Sequence, residues 1–353
     1  MYCPRCHRNL PQNYRFCPQD GAETVERAAI DSVAVSKTKL TDATLGERYV
    51  VRGFIGCGGM ARVYLAEDTQ THKPVAVKVL QSPYREDESN RERFLAEART
   101  TGSIGHPGIV ALLEAGVREE DDAPYLVMEF LYGESLGDYL IRHKQVPVED
   151  GLAWIRQAAA ALSAAHRKGI VHRDVKPDNL FLVGEPDEAH TLKLIDFGLS
   201  KVQTRQMTAA GMIVGTPDFM APEQVLAETI DGRTDVYALG LVMYQMFTGR
   251  PAYDSHDETA VIAHQVFTPA PPPSRIVPGF DRRLEAVIRT AIRKDPNNRY
   301  PAMDIFFDDL GKLHDPDAKL WAGPVESDRY EPQTKVSRLV AQSLGRVIGR
   351  RGD

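Results

Sequence analysis

Several things are missing from this chain of 353 residues, and each absence narrows what it can be. No run approaches the roughly 18 uncharged apolar residues of a membrane-spanning helix, so no transmembrane segment is expected. There is no positive excess: 43 Lys and Arg stand against 49 Asp and Glu, a net charge of −6. Such a chain carries no basic field of the kind that draws nucleic acid. The first residues are polar rather than the apolar core of a signal peptide, which places the expected location in the cytoplasm. No internal repeat is visible. Cysteine is scarce as well, with four in all and three of them in the first 17 residues. In a cytosolic protein, clustered cysteines mean metal or redox chemistry more often than structural disulfides.

What is present separates by texture. Residues 1–21 are a cysteine-rich knot, and residues 22–48 mix charge with small side chains as a linker does. From Tyr49 to Leu313 strand-like and helix-like segments follow one another densely. Residues 314–353 begin polar, rich in Asp, Glu and Pro, and end in an amphipathic basic segment.

The dense region carries chemistry. In "FIGCGGMARVYLAEDTQTHKPVAVKVL" a glycine cluster lies between β-branched and aromatic residues, and a lysine, Lys78, stands inside an apolar strand. Glycines in a tight turn let backbone N–H groups approach an anion with no Cβ in the way. A buried ammonium is costly unless paired, and the candidate partners of Lys78 are a phosphate and Glu97 in "NRERFLAEARTTGSI". A lysine at a strand edge that snorkels to water is the plainer alternative. The stretch "IVHRDVKPDNLFL" then holds His, Arg, Asp, Lys and Asn within eight residues between two apolar runs. So many charges on a loop between buried strands are costly unless they act. Further on, "LKLIDFGLS" ends a strand in Asp196, and "GTPDFMAPE" closes a segment of 28 residues from Asp196 to Glu223.

In this order these strings resemble the signature of a eukaryotic-like (Hanks-type) serine/threonine protein kinase of the bacterial kind, over roughly residues 49–313. The resemblance implies an α+β, two-lobed protein kinase fold, with a β-rich N-lobe and an α-helical C-lobe. It implies ATP and Mg2+ (or Mn2+) as cofactors, and protein Ser/Thr hydroxyls as acceptors in bacterial signal transduction. Residue by residue, Gly56, Cys57, Gly58, Gly59, Met60, Ala61 and Arg62 would cover the ATP phosphates. Lys78 would bind the α- and β-phosphates and pair with Glu97, while Ile55, Val63, Ala76 and Phe181 would enclose the adenine. The backbone of Glu129 and Leu131 would bond the adenine edge beside Met128. Asp174 would accept the hydroxyl proton, Lys176 would steady the γ-phosphate, and Asn179 and Asp196 would hold the metal. Lys176 is the family's mark for Ser or Thr acceptors. Thr216 would belong to the acceptor platform, Asp235 in "DVYALG" fits the pattern, and Arg299 is the expected partner of Glu223.

The match has one departure, one feature of control and one rival. The third glycine of the phosphate loop is replaced by Ala61, a variation that bacterial relatives share. Arg173, just before Asp174, would pair with a phosphate on the activation loop, where Thr208 and Thr204 are the free acceptors. Self-association would then serve trans-autophosphorylation. The rival reading is a pseudokinase scaffold that binds partners without catalysis; it requires the loss of Lys78, Asp174 or Asp196, and all three are present.

The ends of the chain remain. Cys3, Cys6 and Cys17, with Asp20 where a fourth cysteine would fall, have the knuckle spacing of a zinc ribbon. His7 is the competing fourth ligand to Zn2+, and an unmetallated tail is the alternative to both. So short a stretch has too little apolar area to fold without metal. Near the other end Val336, Leu339, Val340, Leu344, Val347 and Ile348 recur at helical spacing among arginines. Packing on the rest of the chain or on a partner is favoured over membrane attachment, because Gly345 and Gly349 weaken an isolated helix.

Overall fold

The computed structural model describes residues 38, 40–57, 60–184, 190–197, 217–255, 257–324 and 330–349; the side chains of 97, 335, 336 and 346–349 are outside that description. The zinc-ribbon candidates Cys3, Cys6, His7, Cys17 and Asp20 therefore lie outside the described residues. So do Gly58, Gly59, Thr204, Thr208 and Thr216. By internal contacts the chain divides into two compact units, Met1–Glu134 with Phe181–Lys193, and Ser135–Leu180 with Leu194–Asp353.

The first unit is built on a six-stranded sheet of β1 (Thr44–Leu45), β2 (Tyr49–Cys57), β3 (Ala61–Asp68), β4 (Pro74–Leu80), β5 (Leu112–Val117) and β6 (Pro124–Glu129). The strand order is β1-β2-β3-β4-β6-β5, with every neighbour antiparallel. β4, "PVAVKVL", is rich in β-branched residues and its side chains alternate between faces. Val75, Val77 and Val79 point into a core with Leu45, Tyr49, Val51, Tyr64, Ala66, Tyr125 and Val127. The linker expected over 22–48 thus gives way to folded chain before Tyr49: Leu45 is an almost fully buried member of this core and β1 pairs with β2. Helix α1 (Glu88–Ile104) starts where the Asp87 carboxylate accepts from Ser89 N–H and stops at left-handed Gly105. Its Phe94, Ala98 and Ile104 are buried. A smaller sheet runs in the order β7 (Gly133–Ser135), β8 (Leu180–Val183), β9 (Thr191–Leu194).

The second unit is helical: α2 (Leu136–His143), α3 (Val148–His166), α4 (Pro222–Val225), α5 (Gly232–Thr248), α6 (Glu258–Phe267), α7 (Arg282–Ala291), α8 (Met303–Gly311) and α9 (Lys335–Gly349). α5 is buried on almost every side and forms the unit's axis, begun by an Asp231 cap and ended by left-handed Gly249. α7 can approach it because Gly240 has no side chain; a Cβ there would sit 2.7 Å from the Ala291 Cβ. α3, rich in buried alanines, packs against α5 and α8.

The described residues 315–324 of the polar stretch are fastened rather than loose. Arg283 donates to the carbonyls of Pro316 and Ala318, and the Trp321 ring packs tilted against Tyr300, with centroids 5.2 Å apart. The C-terminal amphipathic segment forms α9 and packs on its own chain, as expected. Ala341, Val340 and Leu344, with Tyr330 ahead of the helix, meet Met220, Val225, Leu226, Ile262 and Val266. Leu339, expected on the apolar stripe, faces solvent instead, and the side chains of Val336, Val347 and Ile348 lie outside the description. Among the described residues no helix is long and apolar enough to cross a membrane.

Candidate active site

In the first unit the register of the sheet decides which residues share a face. Lys78 pairs with Val63 on one side and Leu126 on the other, and Ala76 pairs with Leu65 and Met128. Residues directly opposite one another in an antiparallel sheet point the same way, and so do residues two apart on one strand. Val63, Ala76, Lys78 and Met128 therefore share the face opposite the valine core. Lys78 is only 4% exposed. The register slips between Phe54 and Gly56, which puts Ile55 at a bulge leading to exposed Cys57. A Cβ on Gly56 would meet nothing within 4 Å, so this part of the loop is open. Met60, Ala61 and Arg62 lead into β3, where the Met60 carbonyl accepts from Gln81 N–H and Ala61 is buried.

Glu129 ends β6 with its N–H donated to the Ala111 carbonyl, and its carboxylate accepts from Lys193 Nζ at 2.5 Å. Leu131 follows it into the connection to β7. Phe181 lies on β8, close to Gly133, whose hypothetical Cβ would fall 1.9 Å from the Leu182 carbonyl oxygen. Only glycine fits there, and at φ +144° only glycine is unstrained. Glu97 lies on α1 between buried Phe94 and Ala98, but its side chain is outside those described.

In the second unit the loop after α3 gathers Asp174, Lys176 and Asn179. Lys176 Nζ lies 3.1 Å from Asp174 Oδ2, and Asn179 Nδ2 donates to the same oxygen at 3.0 Å and to the Asp174 carbonyl at 2.7 Å. With its amide hydrogens aimed at Asp174, Asn179 presents its carboxamide oxygen as the atom that a cation would take. Asn179 also ties this loop to the end of β9: its carbonyl accepts from Ile195 N–H at 3.0 Å. Asp196 is the next residue and stands at φ +60°. Arg173 is likewise left-handed, at φ +67°. Neither is glycine, so both conformations carry strain, and such strain clusters where side chains are set for function.

A buried carboxylate anchors the loop. Asp235, on α5 and wholly buried, accepts from His172 N–H and Arg173 N–H, both at 2.8 Å, and from His166 Nε2 at 2.7 Å. Burial alone would raise its pKa. The His166 hydrogen bond and attraction, with the contribution of His172, outweigh that and hold the carboxyl below the ordinary aspartate value. His172 is a second pivot. Its Nδ1 accepts from Asp174 N–H at 3.3 Å, which leaves Nε2 to donate to the Ile195 carbonyl at 3.2 Å. Its ring packs at 4.4 Å on buried Phe197.

The expected partnership of Glu223 and Arg299 is present as a two-pronged buried ion pair at 2.7 and 2.8 Å, with Thr234 also donating to Glu223. Sequence reasoning assigned no work to His166, His172 or Gln224, whose Nε2 donates to the Arg173 carbonyl. His172 carried a signal, since it opens the charge-dense run. His166 and Gln224 carried none, because their partners are distant in the chain.

Magnesium suits the donor set. One carboxylate and one carboxamide oxygen are hard ligands, and two protein ligands match an ion that keeps water and phosphate oxygens.

Comparison with known proteins gives a consistent picture. The family description "Protein kinase domain" matches residues 49–309. The chain is 43% identical over 257 residues to serine/threonine-protein kinase Pkn1 of Myxococcus xanthus, covering 71% of this chain and 36% of that one. It is 32% identical over 318 residues to serine/threonine-protein kinase PknB of Mycobacterium tuberculosis, covering 89% of this chain and 49% of that one. The chain thus spans less than half the length of these relatives. The crystal structure of the Mycobacterium tuberculosis PknI kinase domain superposes with a TM-score of 0.61 at 27% identity, covering 77% of this chain and 98% of that one.

Proposed function

The chain belongs to the protein kinase domain family, with its two-lobed fold of β-sheet N-lobe and helical C-lobe, and on that premise we propose that it is a bacterial serine/threonine protein kinase. The observation that carries this reading is the Asp174 cluster: a carboxylate held by Asn179 and Lys176 on a loop anchored to Asp235. Asp174 takes the proton of an acceptor Ser or Thr hydroxyl as its oxygen bonds to the γ-phosphorus. The bond from that phosphorus to the β–γ bridging oxygen breaks, and ADP leaves with the electron pair. Lys176 steadies the transferring phosphoryl group and Lys78 the α- and β-phosphates. Val63, Ala76, Met128, Ile55 and Phe181 enclose the adenine, whose edge meets the backbone of Glu129 and Leu131. Asn179 and Asp196 would hold the magnesium, which neutralises charge on the phosphates. Phosphoryl transfer needs alignment and charge cancellation more than covalent help, and the retained Lys78, Asp174 and Asp196 favour it over a scaffold without catalysis.

The test is transfer from γ-labelled ATP and magnesium to the protein itself or to a basic acceptor protein. Asp174→Asn should cut transfer by about 10²–10⁴-fold with the fold intact, and Lys78→Met should abolish it. Normal labelling by the Asp174→Asn protein would remove the assignment. Mass spectrometry of active enzyme should find phosphate on Thr208, with Thr204 the second choice and Arg173 its partner. Self-association for trans-phosphorylation and a cytoplasmic site of action belong to the same reading.

The N-terminal knot is proposed as a zinc ribbon of Cys3, Cys6, Cys17 and Asp20, with His7 as the rival fourth ligand; the knuckle spacing supports it. The purified full chain should carry about one zinc ion. Asp20→Ala should weaken its retention against a chelator more than His7→Ala does. A zinc-free protein under reducing conditions would rule the ribbon out.

A further inference from the structure

Segment 217–223 follows the activation loop, and its two ends are held from one buried network. At the far end Glu223 is paired with Arg299, which also donates through Nη2 to the Lys294 carbonyl at 2.8 Å. The near end is held by a residue that neither the sequence motifs nor the family pattern singled out. Gln265 of α6, 0% exposed, donates through Nε2 to the carbonyls of Pro217 at 3.1 Å and Asp218 at 2.6 Å.

An amide can face either way, so something must choose. The chemistry of the neighbours does. Lys294 Nζ, 1% exposed, donates to the Tyr237 hydroxyl at 2.8 Å and to the Tyr253 hydroxyl at 2.6 Å. An ammonium has hydrogens and no acceptor, so the Tyr237 oxygen must accept from it. The Tyr237 hydrogen is then directed at Gln265 Oε1, 2.6 Å away. With Oε1 committed to Tyr237, the NH2 group faces the two carbonyls. Lys294 and Arg299 both lie over the Tyr237 ring, at 5.4 and 4.6 Å, which fixes that ring between the two anchors.

We propose that Lys294, Tyr237 and Gln265 form a polarised relay that positions the backbone of residues 217–218, and with it the platform against which a protein acceptor binds. This rests on the kinase reading above and adds the residues that set acceptor binding in it. All three are positioning residues: they act through the Pro217 and Asp218 carbonyls. The plainer possibility is that Gln265 merely satisfies two buried carbonyls as any core glutamine would. The two differ in what a substitution moves.

The experiment uses the full-length protein with Gln265→Leu, Gln265→Glu and Tyr237→Phe, and measures KM for ATP, KM for myelin basic protein as acceptor, and ATP hydrolysis without acceptor. Gln265→Leu should raise the acceptor KM about tenfold, the weight of one lost buried hydrogen-bond pair, while ATP KM and basal hydrolysis stay at the wild-type value. Gln265→Glu should do worse than Gln265→Leu, because it turns an acceptor oxygen toward two carbonyls. Tyr237→Phe removes a single oxygen atom and should give a smaller acceptor effect, with faster hydrogen exchange confined to amides near 217–221. If the Gln265 variants do not fold, the Tyr237→Phe measurements decide alone. Equal movement of both KM values, or an unchanged acceptor KM in a folded variant, overturns the relay. A wild-type protein that transfers no phosphate but binds ATP would count against the kinase reading instead, and exchange at 217–221 would still report on the relay.

Discussion

In the β unit Lys78 owes its place to a repeat of the backbone, while in the helical unit Asp174 owes its place to a handful of particular side chains. The face that Lys78 shares with Val63, Ala76 and Met128 follows from register alone, and every rung of the ladder repeats the same instruction. The loop of Asp174 has no such repetition. Asp235 holds it by two N–H groups, His172 and Asn179 tie it to Ile195, and Gln224 holds the Arg173 carbonyl. A sheet distributes its information over many equivalent bonds; the loop concentrates it in few.

The contrast can be broken at its strongest point by Arg299→Met. This leaves the Glu223 carboxylate buried and without its guanidinium partner, which should cost about 3–5 kcal/mol, read as a fall in the denaturant midpoint. A loss below about 1 kcal/mol would mean that water or Thr234 replaces the pair, and that the helical unit is less dependent on single side chains than its geometry indicates.

Val77→Ala probes the other side. It opens a small cavity in the valine core of the sheet and should cost about 1–3 kcal/mol. Neighbouring rungs keep the register, so the ATP affinity of the folded protein should be unchanged. If ATP affinity fell in proportion to stability, the sheet would not be a redundant support.

The smallest effect expected near neutrality is on pH. Asp235 has a folded-state pKa below its unfolded value of about 3.9. Its contribution to stability is therefore complete above that value and is lost as pH falls through the lower, folded pKa. From pH 8 down to about 5 the group should contribute no slope at all. Denaturation curves of the wild type and Asp235→Asn should converge in acid, as the Asp235 carboxyl is protonated. Convergence near pH 6 would show that another group controls the loop.

How much of this could be read in the sequence follows the same division. The strand around Lys78 was legible because alternation is local: "VAVKVL" states which residues face together. The loop "HRDVKPDN" was legible as a cluster of chemistry, and Glu223 and Arg299 as partners, through resemblance to a family. What holds the loop was less so. His166 and Asp235 are 69 residues apart, and Gln265 reaches Pro217 across 48. Nothing in their immediate neighbours marks them, because buried hydrogen bonds between distant residues leave no local period. Leu45 was missed for a related reason: a strand of two residues is too short to show alternation, and only pairing with β2 makes it core. Trp321 was missed likewise, since a polar stretch reads as linker until its aromatic finds Tyr300.

The division of the chain also has a consequence for synthesis on the ribosome. The first unit is discontinuous: it includes Phe181–Lys193, which the ribosome delivers only after the 46 residues from Ser135 to Leu180. At about 5–20 residues per second that is a wait of roughly 2–9 s. During that interval the large sheet has all six strands, but Gly133 has no β8 to close on. The nascent β unit waits as an unfinished body while the first helices of the other unit emerge, and no single cut in the gene separates the whole of one unit from the other.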